Sequence, residues 1–244
     1  MKARKIRLDQ LLVERGLTQS REKAQSLIMA GAVLVNGQKS EKPGKSLEDE
    51  VRIEVLESCP YVGRGGYKLA AALEEFHIDV HDRICLDVGA STGGFTDCLL
   101  QNGAKRVYAF DVGTAQLDWK IRSDPRVVVR ESYNVRYMKP EDIPEKVSLF
   151  VCDVSFISVT LILPAVVPVM TEDGEMAILI KPQFEAGRDQ VGKGGIIRDP
   201  LIHKQVVDRI VLFVEQQLQL KTAVIPSPIL GAEGNQEFLL HAHH

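Results

Sequence analysis

Aromatic residues make up only 6% of this 244-residue chain, with a single tryptophan. No apolar run reaches the roughly 18 uncharged residues that a membrane-spanning helix needs. The N-terminus, Met1-Lys-Ala-Arg-Lys-Ile-Arg7, has no apolar stretch of the kind that opens a secretory signal. Export and membrane spanning are therefore excluded as expectations, and the chain reads as cytoplasmic. Cysteine is scarce as well. The four present (Cys59, Cys85, Cys98, Cys152) show no Cys-x-x-Cys spacing, so they imply neither a metal site nor a disulfide. Two glycine signatures are also missing: the Gly-x-Gly-x-x-Gly that cradles a pyrophosphate and the Gly-Lys-Ser/Thr ending of a phosphate-binding loop.

What is present is a different glycine turn. The apolar run Ile84-Cys-Leu-Asp-Val88 fits a buried parallel strand, and it ends in Gly89-Ala-Ser-Thr-Gly-Gly94 before a helical pattern through Phe95, Leu99 and Leu100. Glycines at 89, 93 and 94 let the backbone turn sharply and approach a ligand, while the first N–H groups of the following helix point at it. A second run, Val107-Tyr-Ala-Phe110, ends in Asp111, about twenty residues past the turn, where such folds place an acceptor for two ribose hydroxyls. An adenosine without a diphosphate fits this arrangement.

At 45% hydrophobic and 26% charged, the chain has ample material for one or two cores. Its net charge of −3 conceals a division. Residues 1–45 hold ten Lys or Arg against four acids, a net +6, which leaves −9 for the remainder. A basic module on an acidic body points to a polyanionic partner.

That module reads as two short helices and a small sheet. Leu8, Leu11 and Leu12 have helical spacing up to Gly16, and Ser20 caps a second helix carrying Ala24, Leu27 and Ile28, with Gly31 as its stop. Val33-Leu-Val-Asn-Gly37 runs into an Asn-Gly hairpin turn, and Val51–Val55 alternates as a further strand. A Pro- and Gly-rich junction at 57–67 follows, containing Arg64 among glycines.

Beyond it, strand patterns at 127–130, 148–153, 175–181, 222–225 and 237–242 alternate with helical patterns at 115–122, 159–170 and 203–220. Lys68 opens the first helix of this half. Alternation of this kind predicts an α/β fold with a mostly parallel sheet covered on both faces. The connection 227–236 is too short for a crossover helix, so the last strand runs antiparallel. Asp153 and Lys181 fall at carboxyl ends of parallel strands, where ligands bind in open sheets, and Glu237 begins the antiparallel strand at that same edge.

The turn and acid together resemble S-adenosylmethionine-dependent methyltransferases of the Rossmann-like class. The pattern Arg7-Leu-Asp9, Gly16-Leu, Ser20-Arg21, Ile28, Gly31, Val33, Asn36-Gly37, Lys42-Pro resembles the small RNA-binding fold named after ribosomal protein S-four. Lys68, Asp153, Lys181 and Glu237 match the Lys-Asp-Lys-Glu tetrad of FtsJ-like RNA ribose 2′-O-methyltransferases. Arg64-Gly-Gly-Tyr-Lys68, Asp87–Thr96, Asp153-Val-Ser-Phe-Ile-Ser158, Lys181-Pro-Gln-Phe-Glu185 and Gly194-Gly195 make the whole chain similar to the TlyA (haemolysin A) family.

The resemblance implies an RNA-binding domain over 1–56, a linker over 57–67 and a methyltransferase domain over 68–244. It implies S-adenosylmethionine as cofactor, held by Asp87, Gly89, Ser91, Thr92, Gly93, Phe95, Thr96, Asp111, Val112, Asn134 and Asp153. Ribosomal RNA or a ribosomal subunit is the implied partner, with cytidine ribose as target and Arg4, Arg7, Arg21, Lys23 and Lys42 on one RNA-facing surface. Lys181 is then the base toward the ribose hydroxyl, oriented by Asp153, with Lys68 favouring its neutral form and Glu237 holding Lys68. No metal is assigned, including to the terminal His241-Ala-His-His244. Two alternatives remain open: a non-catalytic RNA-binding assembly factor, and the membrane-active protein that the family's haemolysin label suggests.

Overall fold

The computed structural model describes residues 4–29, 32–40, 42–55, 60–231 and 234–244, apart from the side chains of Ser26 and Arg188. The expected helix stop at Gly31, residues 57–59 of the junction and Cys59 lie outside these described residues. Contacts divide the chain into two compact units, Met1–Pro60 and Tyr61–His244.

In the first unit, helices α1 (Leu8–Glu14) and α2 (Arg21–Met29) pack Leu8, Leu12, Ala24 and Ile28 against Val33 and Val35. Ser20 caps α2 by accepting from the Lys23 N–H at 3.2 Å. Strand β2 (Val33–Val35) turns through Asn36 and Gly37, both at positive φ, into β3 (Gln38–Lys39), and it also pairs antiparallel with β5 (Ile53–Val55). One pairing was not expected from the sequence. Strand β1 (Lys5–Arg7) pairs antiparallel with β4 (Ser46–Glu48), each of only three residues and too short to show a period.

The second unit carries a seven-stranded sheet in the order β11-β12-β10-β9-β6-β7-β8. Strands β6 (Ile84–Val88), β7 (Arg106–Phe110), β8 (Val127–Arg130), β9 (Val147–Cys152) and β10 (Met170–Ile180) are mutually parallel. Strand β12 (Phe238–His243) inserts antiparallel between β10 and β11 (Lys221–Pro226). This is the α/β, mostly parallel sheet with an antiparallel last strand that the alternation predicts. Leu86, Phe110, Phe150, Ile178 and Leu240 pack on one face against Val206, Ile210 and Val214 of α8 (Pro200–Gln217). Cys85, Val107, Val151 and Leu179 pack on the other against Leu69 and Leu73 of α3 (Gly65–Glu75) and Cys98 and Leu99 of α4 (Gly94–Gln101).

Three helices differ from expectation. Helix α3 begins at Gly65, so Lys68 lies one turn inside it. Gly66 is there for packing, since a Cβ would lie 2.1 Å from the Tyr61 ring. The helical pattern at 115–122 becomes only α5 (Trp119–Arg122), capped by Asp118, and the one at 159–170 becomes α6 (Leu163–Val166) between two single 3₁₀ turns. Pro164 and Pro168 lack the N–H that a continuous helix requires. A further short helix, α7 (Pro182–Glu185), directly follows Lys181. Cys85, Cys98 and Cys152 are buried free thiols, and burial pushes the first two up to about 12.

Candidate active site

The crevice at the carboxyl edge of the sheet follows from the glycine turn. Gly89 has φ 84°, and a Cβ on it would lie 2.5 Å from the backbone oxygen of Asp153, so only glycine lets the end of β6 lie this close to the end of β9. Gly93, at φ 96°, precedes α4 and faces Leu117 and Ile121. Two adjoining cavities open here. The larger, about 440 Å³, is lined by Gly89, Ser91, Asp111, Val112, Asn134 and Asp153 among others. The smaller, about 190 Å³, is lined by Gly65, Thr92, Phe95, Asp153, Ser155 and Lys181 among others.

Asp111, just past β7, accepts from the Ser91 N–H at 2.8 Å and the Gly113 N–H at 2.7 Å, which fixes its carboxylate on the larger cavity's wall. Asn134 accepts from the Arg136 N–H at 3.1 Å and so starts a 3₁₀ turn on the same wall. Not every expected cofactor residue reaches a wall. Asp87, Gly93 and Thr96 line neither cavity, because Asp87 and Thr96 are wholly buried behind the turn. Thr96 donates to Asp87 Oδ2 at 2.6 Å, and Asp87 Oδ1 is buried without a hydrogen-bond partner. Burial pushes this carboxyl up to about 7, against the Thr96 hydrogen bond and helped by the charge of Asp153.

The four charged residues meet. Glu237 Oε2 lies 2.6 Å from Lys68 Nζ, which lies 3.9 Å from Asp153 Oδ2, while Asp153 Oδ1 lies 2.6 Å from Lys181 Nζ. Two cations and two anions thus alternate along one line, largely out of water. Taking four charges from water is costly, and their alternation offsets the cost. Only Asp153 and Lys181 face the smaller cavity; Lys68 and Glu237 stand behind Asp153. Gly231 makes room for Glu237, since a Cβ there would lie 2.6 Å from its Oε1.

Two further polar side chains, not among the residues expected from the sequence, join the site. Ser155 accepts from Lys181 Nζ at 2.9 Å. Glu185, buried at the end of α7, accepts from Ser158 Oγ at 2.6 Å and the Val159 N–H at 2.8 Å. Burial raises the Glu185 carboxyl above its ordinary value, and these two donors oppose that. Both residues stand in motifs quoted above, but a serine or glutamate in a loop carries no periodic signal that sets it apart.

In the first unit, a fully buried acid organises the basic residues. Asp9 accepts from Arg7 Nε at 3.0 Å and Nη2 at 2.9 Å, from Arg21 Nε at 3.0 Å and from Gln25 Nε2 at 2.9 Å. The Arg7 hydrogen bonds hold its carboxyl well below the usual carboxylate range, with Gln25 and Arg21 assisting. One carboxylate between two half-exposed guanidiniums leaves a net positive charge. Lys23 and Lys42 are exposed, and Arg4 lies 3.7 Å from Glu14. Among the described residues no group of His, Cys, Asp and Glu is placed to hold a metal ion, and no helix is long and apolar enough to cross a membrane.

Comparison with known proteins adds the following. Residues 61–244 match the FtsJ-like methyltransferase family, and residues 6–53 match the S4 domain. The chain is 44% identical over 240 residues to the 16S/23S rRNA (cytidine-2′-O)-methyltransferase TlyA of Mycobacterium tuberculosis, covering 98% of this chain and 90% of that protein. It is 45% identical to Hemolysin A of Brachyspira hyodysenteriae, covering 97% of this chain and 99% of that one. A solved structure from Streptococcus thermophilus, 46% identical, superposes with a TM-score of 0.76 over 98% of this chain and 88% of its own.

Proposed function

The chain belongs to the FtsJ-like methyltransferase family, and from that premise we propose that it methylates the 2′-hydroxyl of a cytidine ribose in ribosomal RNA. It uses S-adenosylmethionine, and it acts on ribosomal subunits in the cytoplasm. The observation that carries this reading is the Glu237–Lys68–Asp153–Lys181 line, ending on the wall of a cavity that adjoins a nucleoside-sized one.

The residues present fit the cofactor. The close approach of Gly89 to Asp153, which a Cβ would prevent, brings the two strand ends together at the cavity wall, and the larger cavity combines apolar walls with a fixed carboxylate suited to two ribose hydroxyls. Asp111 would take the ribose, Val112 and Asn134 the base, and Ser91, Thr92 and Phe95 the methionine side. Asp87, Gly93 and Thr96 would act one layer behind, shaping the turn. When bound, the cofactor supplies a methyl already activated on a sulfonium.

The protein then has to orient a weak nucleophile and receive its proton. In its neutral form Lys181 would offer a lone pair toward the smaller cavity and so could take the proton of a hydroxyl held there. Asp153 holds that amine in place, and Glu237 and Lys68 fix Asp153 from behind. In the first unit, Arg7, Arg21, Lys23, Lys42 and Arg4 contact phosphates, which position the RNA without reading its sequence. The name of the Brachyspira relative raises membrane activity as a second reading, which liposome leakage by the purified chain would test. The decisive experiment incubates the purified chain with cofactor and ribosomal subunits and maps ribose methylation. Methylation at defined cytidines is expected; its absence on both subunits overturns the reading.

A further inference from the structure

We propose that Ser155 is a positioning residue for the methyl transfer, setting the direction in which the Lys181 amine presents its lone pair; this rests on the reading above.

A neutral lysine amine has two N–H bonds and one lone pair in tetrahedral array. Lys181 Nζ has two acceptors within reach, Asp153 Oδ1 at 2.6 Å and Ser155 Oγ at 2.9 Å. Ser155 Oγ takes one N–H as a hydrogen bond, Asp153 Oδ1 holds the nitrogen from a second side as a close ion pair, and the remaining direction is left to the lone pair. With a single acceptor the amine would rotate about its last bond, and the lone pair would sweep a cone. With two acceptors it has one orientation. The Asp153 contact alone does not supply that restraint, because Oδ1 makes a close ion pair with no aligned hydrogen bond, whereas the contact with Ser155 is a hydrogen bond. Asp153, Ser155 and Lys181 line the same smaller cavity, so the third direction opens where an acceptor hydroxyl must sit.

The loop that carries Ser155 is built to hold this distance. Phe156, the next residue, has φ 66°, a conformation that a bulky side chain adopts only when its surroundings impose it. The far end of the same loop is held by a Glu185 clamp. Glu185 closes the four-residue helix that starts immediately after Lys181, and its carboxylate takes Ser158 Oγ and the Val159 N–H from the far end of the Ser155 loop. Arg209 donates to the Glu185 carbonyl oxygen and lies 3.7 Å from its carboxylate, fastening the clamp to α8. The strand end bearing Asp153 and the strand end bearing Lys181 are therefore tied twice, once at the chemistry and once behind it.

Ser155 is exposed, so truncating it opens no cavity in the core. The test compares wild type, Ser155→Ala, Ser155→Thr and Lys181→Ala, each with full-length chain and ribosomal subunits. It measures kcat, KM for RNA and, by calorimetry without RNA, the dissociation constant of S-adenosylmethionine. For Ser155→Ala a fall in kcat of about tenfold to a hundredfold is expected. Cofactor affinity and RNA KM should stay within about twofold, and Ser155→Thr, which keeps the hydroxyl, should recover most of the rate. Wild-type kcat in Ser155→Ala overturns the proposal. So does a loss confined to cofactor affinity or to RNA KM, which would make Ser155 a contact of ligand. A threonine variant as slow as alanine overturns it too. If wild type methylates and Lys181→Ala does not, failure of the serine predictions leaves the methyltransferase reading standing; a wild type without methyl transfer removes both.

Discussion

Two carboxylates in this molecule each sit between two cations, and they put that arrangement to opposite uses. Asp9, in the first unit, is fully buried and takes hydrogen bonds from two arginines and a glutamine. Asp153, in the second, is partly exposed on a cavity wall and lies between two lysines. Guanidinium does not lose its proton in proteins, so the pair around Asp9 is a permanent charge with a fixed fork, suited to phosphate. A lysine amine, unlike a guanidinium, has a neutral form that accepts a proton, which is the chemistry proposed for the pair around Asp153. On the proposed function, the choice between arginine and lysine separates a grip from a base.

The sharpest way to break that comparison is to exchange the cation. Lys181→Arg keeps the charge beside Asp153 but cannot accept a proton at working pH. Methylation should fall about 10²–10⁴-fold in both Lys181→Arg and Lys181→Ala, while S-adenosylmethionine binding persists. Single-turnover assays with a calorimetric check on cofactor affinity would show it, and appreciable turnover in the arginine variant would remove Lys181 from the base role.

The next effect concerns the cofactor itself. Asp111→Ala removes the fixed carboxylate from the larger cavity and frees the Ser91 and Gly113 N–H groups it holds. Hydrogen bonds to a charged group contribute about 1.5–3 kcal/mol each, so two lost ribose contacts predict a loss of affinity of a hundredfold or more. Calorimetry with S-adenosylmethionine, beside an unchanged thermal unfolding curve, checks both parts.

How much of this was legible beforehand follows from the kind of signal involved. The main sheet was readable because its buried strands are continuous apolar runs separated by helical periods, and because the turn at Gly89–Gly94 interrupts them at one place. The strands β1 and β4 were not readable, since a three-residue pairing is decided by its partner. Helix length failed where Pro164 and Pro168 cut an apolar run whose composition still looked helical. In the site, Asp153, Lys181 and Glu237 stood out because charge at the end of a buried strand is conspicuous. Lys68 was found only through resemblance, because a lysine inside a helix is ordinary. Ser155 and Glu185 act through loop geometry that no spacing encodes, and the pairing of Arg7 and Arg21 on Asp9 joins positions on two different helices and a strand.

The grip half of the comparison predicts smaller effects that differ between residues. Lys23 is exposed and makes no ion pair in the described structure, whereas Arg21 is tied to a buried acid. Charge reversal at either position should flatten the salt dependence of RNA binding, lowering the slope of log K against log salt by about one to two. Only Arg21→Glu should also destabilise the first unit, because it faces Asp9 with a second negative charge. Filter binding across a salt series together with thermal unfolding separates the two, and identical unfolding curves would show that Asp9 does not organise the surface.

A last effect lies in the layer behind the glycine turn. Asp87 is wholly buried, with one oxygen unpartnered, and burial raises its carboxyl from its ordinary value of 3.8 to about 7. Between those values the folded protein holds a proton that the unfolded chain releases, so this group's contribution to stability is full below about pH 4 and is lost progressively as pH rises to about 7. Across that window the loss is about 1.4 kcal/mol per pH unit at most, before the protein relaxes around the charge. Asp87→Asn carries no such proton and retains an acceptor for Thr96. Its unfolding free energy, measured without cofactor from pH 4 to 8, should therefore lack the decline seen in wild type, with the two curves diverging as pH rises. Parallel curves would mean that Asp87 is already ionised in the fold, and that the buried layer behind the glycine turn contains a charge balanced by a partner other than Thr96.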